Sequence, residues 1–451
     1  MHYHIDKTAA QSAYLQLYHQ LRRDIVSGVY LLGTKMPSKR LIATETGVSV
    51  ITVEHALAIL CDEGYLESRE RSGFFVSFAA ADCFPVSETE TERRTTVSHG
   101  TEDEFPFPSL AKTMRRVLSE YGESILVKSP NNGCAELRGA IAAYLSRSRG
   151  ISVQPGQIVI GSGAEYLYGL IVQLLGRERV FALEDPSYDK IRRVYQAHGV
   201  TCEMLRLGSD GIRSDELTRA SATVLHVTPF HSFPSQVTAS AGKRREYLRW
   251  AEERGGYIVE DDYDAPFRLA GRPVASLASI DVTGHVIYTN TFSKSLGPAL
   301  RMAFMVLPPR LAEAWDERVG FYANTVSVID QIALARMIEE GDYERHVNRY
   351  RKVQRDVRDA FVDEMIRLAP SGRVRVEQAD SGLHFVLSIE GADEEQIAAA
   401  ALERGVRLSP MEDYAIASLP PHDDARFAIQ YGGLDAESAR EAARIIASCI
   451  G

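Results

Sequence analysis

The chain has 451 residues, more than one typical domain, and 45% apolar with 25% charged residues is an ordinary soluble composition that supplies a sizeable core. Cys61, Cys83, Cys134, Cys202 and Cys449 form no C-x-x-C pair and are odd in number, which argues against a disulfide framework or a metal site and makes a reducing compartment the default. The net charge of −10 argues against a generally sticky nucleic-acid binder. Because residues 1–80 hold 8 basic and 8 acidic side chains, any DNA contact must come from a local patch there. The start of the chain lacks the apolar run of a signal peptide, and no stretch approaches ~18 consecutive apolar residues. No membrane partner is expected, and the expected location is cytoplasmic.

Tyr14, Tyr18, Leu21 and Ile25 share one helical face, which Gly28 ends. Ser38 is an N-cap for a second helix that Gly47 stops. Ser49 caps a third, with Val53, Leu57 and Leu60 inward and Gly64 as terminator. Two short helices joined by a tight Gly-containing turn are the helix-turn-helix layout, whose later helix, here residues 49–54, enters the major groove. Residues 65–69 and 74–78 then flank Arg71-Ser72-Gly73, a hairpin with a basic tip usable as a wing on the phosphate backbone. The pattern alone leaves open a helical interaction module with no DNA role.

Residues 79–104 are small, polar and charged, without an apolar period, and read as a linker. The expected division is therefore a DNA-binding domain over 1–78, a linker over 79–104 and a large domain over 105–451. In the large domain, helical patterns alternate with β-rich runs at 157–161, 179–183, 222–227, 256–260 and 285–290, which predicts an α/β fold with a mostly parallel sheet.

Three motifs in it carry chemistry. Ile158-Val159-Ile160 leads through Gly161-Ser162-Gly163-Ala164 into a helix, an anion cradle or an ordinary strand-helix turn. Tyr257-Ile258-Val259 leads into Glu260, Asp261, Asp262, Tyr263 and Asp264, a site at a strand's carboxyl end, a metal site or a solvated acidic loop. A third β-rich run ends in Thr291-Phe292-Ser293-Lys294-Ser295, with Arg301 at +7; a lone lysine is usually a surface residue, but here it stands in a compact phosphate-and-amine set. In this order the three supply what pyridoxal 5′-phosphate needs: a Schiff-base lysine, a carboxylate for the pyridine nitrogen, a hydroxyl donor for the phenolic oxygen, and amides with a cation for the phosphate.

Residues 17–76 closely resemble the GntR-type winged helix, in the G-x-x-x-x-G-x-x-x-P-S spacing, the G-V-S-x-x-T-V turn and the G-Y-L-x-S-R-x-x-S-G-x-x-V wing. The resemblance implies double-stranded DNA contacts by Ser38, Arg40, Ser49, Thr52, Arg69, Arg71 and Gly73. The family's Arg after the turn serine is Val50 here. Val offers only apolar contact, for example to a thymine methyl, so the operator is expected to differ at that base.

The large domain resembles the aspartate aminotransferase-like, fold-type I proteins, and the whole chain resembles the MocR subfamily of GntR regulators. Further matches are P-S-Y at 186–188, H-V-T-P-F-H-S-F-P-S at 226–235 and S-G-L-H-F-V-L at 381–387. The resemblance implies that Lys294 carries the cofactor, Asp261 pairs with the pyridinium, Tyr263 reaches the phenolate and Tyr188 covers the ring. It also implies that Ser162, Gly163, Ala164, Thr291, Ser293 and Arg301 hold the phosphate, with His231 and Pro234 shaping the loop beside the ring.

Three positions depart from the family. Gln236 replaces a glycine, and Lys128 stands where a tyrosine reaches a partner subunit's phosphate. The substrate-carboxylate arginine falls either on Arg426, by its place in the β-like run 426–431, or on Ala428, by counting back from Gly433-Leu434; in the second case Arg426 is a substitute on the same strand face. The expected function is a homodimeric regulator that senses an amine, an amino acid or pyridoxal phosphate itself through the Lys294 Schiff base. The alternative is an aminotransferase with an accessory DNA-binding domain, and any transaminase turnover is expected to be slow.

Overall fold

Apolar spacing and caps build the N-terminal elements. In the computed structural model, which describes residues 3–6, 11–69, 72–78, 106–267, 275–369, 372–377, 382–416 and 423–450, the chain divides into two compact units, Met1–Val97 and Ser98–Gly451. The expected linker over 79–104 and the wing-tip Arg71 lie outside the described residues. Helix α1 (Ala13–Val26) buries Leu17, Tyr18, Leu21 and Ile25, one face at helical spacing. Tyr14, expected on that face, is half-buried and stacks on His55 with ring centroids 4.3 Å apart.

Helix α2 (Lys39–Thr46) begins where the Ser38 side chain accepts from the Leu41 amide and ends at Gly47, φ 66°. Helix α3 (Val50–Asp62) begins with the same device at Ser49, whose Oγ accepts from the Thr52 amide at 3.1 Å. The chain bends by 118° between α2 and α3, within the roughly 90–120° of helix-turn-helix pairs. Val53, Ala56, Leu57 and Leu60 of α3 pack on α1. Strands β1 (Leu66–Arg69) and β2 (Gly73–Val76) pair antiparallel, with Arg69 opposite Gly73.

The second unit is built on an eight-stranded sheet. Its strands are β3 (Ile158–Gly161), β4 (Phe181–Asp185), β5 (Cys202–Gly208), β6 (Gly211–Ile212), β7 (Val224–Val227), β8 (Tyr257–Asp261), β9 (Val286–Thr291) and β10 (Ala303–Val306). The order is β3-β10-β9-β8-β7-β4-β5-β6, with β5, β4, β7, β8 and β9 parallel, β6 antiparallel to β5, and β10 antiparallel to both neighbours. Strands β3, β4, β7 and β8 are almost wholly buried, as expected for a sheet packed on both faces. One core gathers Leu167, Ile171, Phe181 and Val259; another gathers Ile141, Ile160, Phe304 and Leu334.

A smaller antiparallel sheet, β11 (Val374–Glu377), β12 (His384–Glu390) and β13 (Asp424–Gln430), follows the 27-residue helix Asp342–Leu368. Phe385, Leu387 and Ile389 of β12 with Phe427 and Ile429 of β13 face that helix and Ala436–Ser448. The two-residue period therefore turns His384 of β12 and Gln430 of β13, which pair, to the other face. Among the described residues no single helix is long and apolar enough to cross a membrane.

Candidate cofactor site and DNA-contact surface

The carboxyl ends of β4, β7, β8 and β9 contribute to one cavity of about 310 Å³, where ligands gather in open α/β sheets. Gly163, Ala164, Tyr188, Asp261, Tyr263, Thr291, Ser293, Lys294 and Arg301, all singled out from sequence, line it together. Asp261 closes β8, and the Tyr168 hydroxyl donates to its Oδ2 at 2.5 Å. His226 Nε2 stands 3.8 Å from the same oxygen, and its Nδ1 is 2.8 Å from the Tyr195 hydroxyl. Burial, reinforced by the Asp261 charge, holds the Tyr168 and Tyr195 hydroxyls well above the usual tyrosine range, so both stay protonated. Tyr263 is likewise kept protonated by burial, and its hydroxyl donates to the His231 carbonyl at 3.3 Å.

A different part of the lining is built for an anion. Strand β3 ends at Gly161, and Gly163, at φ 102°, caps the helix Ala164–Leu175. The first N–H groups of a helix have no partner within it, and the dipole there favours negative charge. A Cβ on Gly163 would stand 2.8 Å from Arg301 Nη2, so only glycine leaves this cradle open. Arg301 Nη2 lies 3.7 Å from Glu165, which also pairs with Lys190. The Thr291 hydroxyl accepts from the Ser293 amide at 3.2 Å. Helix amides, hydroxyls and a guanidinium at one end, with a lysine, a fixed carboxylate and a protonated tyrosine hydroxyl beside them, fit pyridoxal 5′-phosphate in donor chemistry.

Other predicted residues stand outside the lining. Ser162 Oγ hydrogen-bonds Thr325 Oγ1 at 2.9 Å. His231 is buried at φ 57°, its ring stacked on Phe230. Arg426 points to Glu377, with Nη2 3.5 Å from Oε2, and Ala428 is covered by Val386 and Met411. The structure therefore does not bring Arg426 to the cavity; Gln430, four residues on, does line it. Lys128 is exposed beside Leu126 and Val127.

Sequence reasoning assigned no role to several lining residues: Tyr168, Glu184 and Gln430, and, inside the motifs it singled out, His226, Phe233, Asp264 and His384. Burial pushes the Glu184 carboxyl up to about 8 although Ser232 donates to it at 2.6 Å. Burial pushes Asp264 up to about 7 against the opposing effects of Lys294 and the Leu383 amide. Burial, with His231 and Lys294 nearby, lowers His384 to about 3, so its ring is neutral. Gln236 explains itself structurally. It holds the left-handed φ of 63° that a glycine would adopt freely, is fully buried, and its amide donates to the His384 carbonyl. The substitution thus ties the loop beside the cavity to β12.

On the N-terminal unit, Arg40, Val50 and Ile51 are exposed at the starts of α2 and α3, and Ile51 is 77% exposed. Ser49 and Thr52 hydroxyls lie 2.8 Å apart at the first turn of α3. Arg69 lies over the Phe75 ring at 4.5 Å, which places a guanidinium on the wing, and Gly73 takes φ 106° at its turn. Helix start and wing carry polar, apolar and cationic groups suited to bases and phosphates.

Residues 97–446 match the family described as aminotransferase class I and II, and residues 13–76 match the bacterial regulatory proteins of the gntR family. The chain is 34% identical over 450 residues to the uncharacterized HTH-type transcriptional regulator YhdI of Bacillus subtilis, covering 97% of this chain and 95% of that one. It is 29% identical to the probable rhizopine catabolism regulatory protein MocR of Rhizobium meliloti, covering 97% and 93%. Among solved structures, the multiple substrate aminotransferase from Thermococcus profundus superposes with a TM-score of 0.67 at 22% identity, over 77% of this chain and 88% of that one, a likeness of fold.

Proposed function

We propose that this chain, which belongs to the MocR-type GntR regulators fused to an aminotransferase class I and II domain, is a homodimeric cytoplasmic regulator whose DNA binding responds to an amine-bearing effector. Its large domain takes pyridoxal 5′-phosphate, the cofactor of that class. The observation that carries the reading is the convergence of Lys294, Asp261 and Tyr263 on one cavity in a chain that also presents a helix-turn-helix.

Bound there, the cofactor supplies an aldehyde that captures amines and a protonated ring that draws electrons. Lys294 Nζ would hold it covalently, Asp261 would keep the proton on its ring nitrogen, and the Tyr263 hydroxyl would turn from the His231 carbonyl to donate toward its phenolic oxygen. Tyr188, 50% exposed, covers the ring and can swing with the ligand. Gly163 and Ala164 amides, Thr291, Ser293 and Arg301 would hold the phosphate, with Ser162 in the same turn, and buried His231 would shape the loop beside the ring. A primary amine would compete with Lys294 Nζ for the cofactor's aldehyde carbon, and freeing the Lys294 side chain would change the surroundings of buried Asp264, whose carboxyl feels Lys294. An effector that favours one state in this way shifts the population of DNA-binding geometries.

Transamination is slow in this reading. Arg426 is paired with Glu377 and Ala428 is covered by Val386 and Met411, so an amino acid lacks the restraint that gives near-attack geometry. The dimer reading is supported by exposed apolar side chains on two segments, Leu126 and Val127 on one and Phe321 and Tyr322 on the other, which the Asn131 side chain links by donating to the Gly320 carbonyl at 2.5 Å. Lys128 beside the first segment serves the phosphate in the partner subunit. The test is borohydride reduction of the purified protein followed by peptide mass mapping. The cofactor mass on the Lys294 peptide is expected; cofactor on a different lysine, or none, contradicts the reading.

A further inference from the structure

Apart from Lys294 and Asp261, which serve the cofactor, the polar and charged groups of the cavity fall into two sets. Lys190 and Arg301 both hold Glu165, next to the Gly163 cradle that suits the phosphate. Asp264, His384, Glu184 and Gln430 line the cavity on other elements, and none of them is a cation at neutral pH. Asp264 is 1% exposed, and no side chain hydrogen-bonds either of its oxygens. His384 Nε2 is also buried without a partner, and its Nδ1 stands 3.9 Å from Asp264 Oδ2. Gly382 admits this arrangement, since a Cβ there would stand 2.6 Å from Asp264 Oδ2.

The arginine that would receive a carboxylate is missing from this part of the lining among the described residues. Ala428 lies under Met411, and the Arg426 guanidinium faces Glu377. A carboxylate ligand would instead meet the buried Asp264 and Glu184 carboxyl groups with no cation on those elements to receive it, which desolvation opposes. A cation there would give Asp264 a charged partner beyond the Leu383 amide, the arrangement that makes a buried charge tolerable.

We propose that the cavity selects a primary amine carrying a second cationic group and no carboxylate, with Asp264 receiving the second cation beside His384. This rests on the amine-sensing reading above and narrows its ligand class. Neutral His384 and the Glu184 carboxyl supply further acceptors, and the Leu383 and Phe233 side chains cover the ligand's methylene chain.

The experiment is calorimetric titration of the cofactor-loaded full chain with 1,4-diaminobutane, 4-aminobutyrate and n-butylamine. The diamine is expected to bind about tenfold or more tightly than 4-aminobutyrate, with butylamine between them. Asp264→Asn should bring the diamine-to-butylamine ratio close to one. Gln430→Arg, at the exposed rim, should shift preference toward 4-aminobutyrate, and decides the matter if the Asp264 variant does not fold. Tightest binding by 4-aminobutyrate in the parent chain overturns the proposal, as does an undiminished diamine advantage in Asp264→Asn. So does a Gln430→Arg chain whose preference does not move. In each of those cases amine sensing itself stands; heat from none of the three probes overturns both.

Discussion

Replacing Gly163 with alanine tests the phosphate cradle directly. At φ 102° an L side chain is strained, at a cost of about 1–3 kcal/mol if the backbone holds its shape. The new Cβ would also stand 2.8 Å from Arg301 Nη2, and the guanidinium, the end of a flexible side chain, would swing away. A charge-assisted hydrogen bond to phosphate is worth about 1.5–3 kcal/mol. Partial loss of that bond together with strain at the first helical turn sums to about 3 kcal/mol, or roughly a hundredfold in cofactor Kd. Gly47→Ala is the control, because Gly47 has φ 66° with nothing within 4 Å of its Cβ and lies in the other unit. It should lower the melting temperature modestly and leave cofactor affinity alone. Equilibrium dialysis of both variants gives the Kd directly. A Gly163→Ala chain that binds cofactor within about twofold of the parent would refute the cradle.

Three further outcomes follow from the same geometry. Ser49→Ala should cost about 0.5–2 kcal/mol of stability in the N-terminal unit, read by denaturant melts, because the Thr52 amide loses its acceptor. Arg40→Ala should reduce the slope of log affinity against log salt by about one for any bound duplex, whereas an unchanged slope would place Arg40 off the phosphates. Glu184→Gln should flatten the pH dependence of stability. The native carboxyl sits at about 8 against 4.5 unfolded, so it contributes stability at low pH that is lost as pH rises from 4.5 through about 8. One proton's worth, about 1.4 kcal/mol per pH unit, should disappear from that slope in denaturant titrations, while Asp264 and Glu260 keep theirs.

What sequence could convey depended on whether a residue's role is local. Ser38 and Ser49 cap helices three residues away, so their roles are written in adjacent letters. Asp261 ends a strand, Lys294 and Gly163 stand just past the ends of two others, and strand ends gather in this architecture, so their meeting was legible too. Tyr168 was not, because on an apolar helix it looks like core until its hydroxyl is seen on Asp261, 93 residues away. Asp264 and His384 lay inside motifs that were quoted, but which of several acids is unpartnered depends on a loop and a strand meeting across the chain. Arg426 shares a strand face with Gln430, yet four residues along a strand is about 13 Å, too far for a side chain held by Glu377. Gln236 at a left-handed position has no local signal, since its compensation is a bond to the His384 carbonyl.

The central claim is that one chain couples amine chemistry at Lys294 to DNA binding, and fluorescence anisotropy measures that coupling. A labelled duplex, selected from genomic fragments by the cofactor-loaded full chain, is titrated with protein in the presence and absence of 1,4-diaminobutane. The account predicts that the diamine shifts duplex Kd in the parent chain. Lys294→Ala should still bind the duplex through Ser49, Thr52 and Arg40 and should show no shift. An equal shift in Lys294→Ala, or a parent chain that selects no duplex, would contradict it.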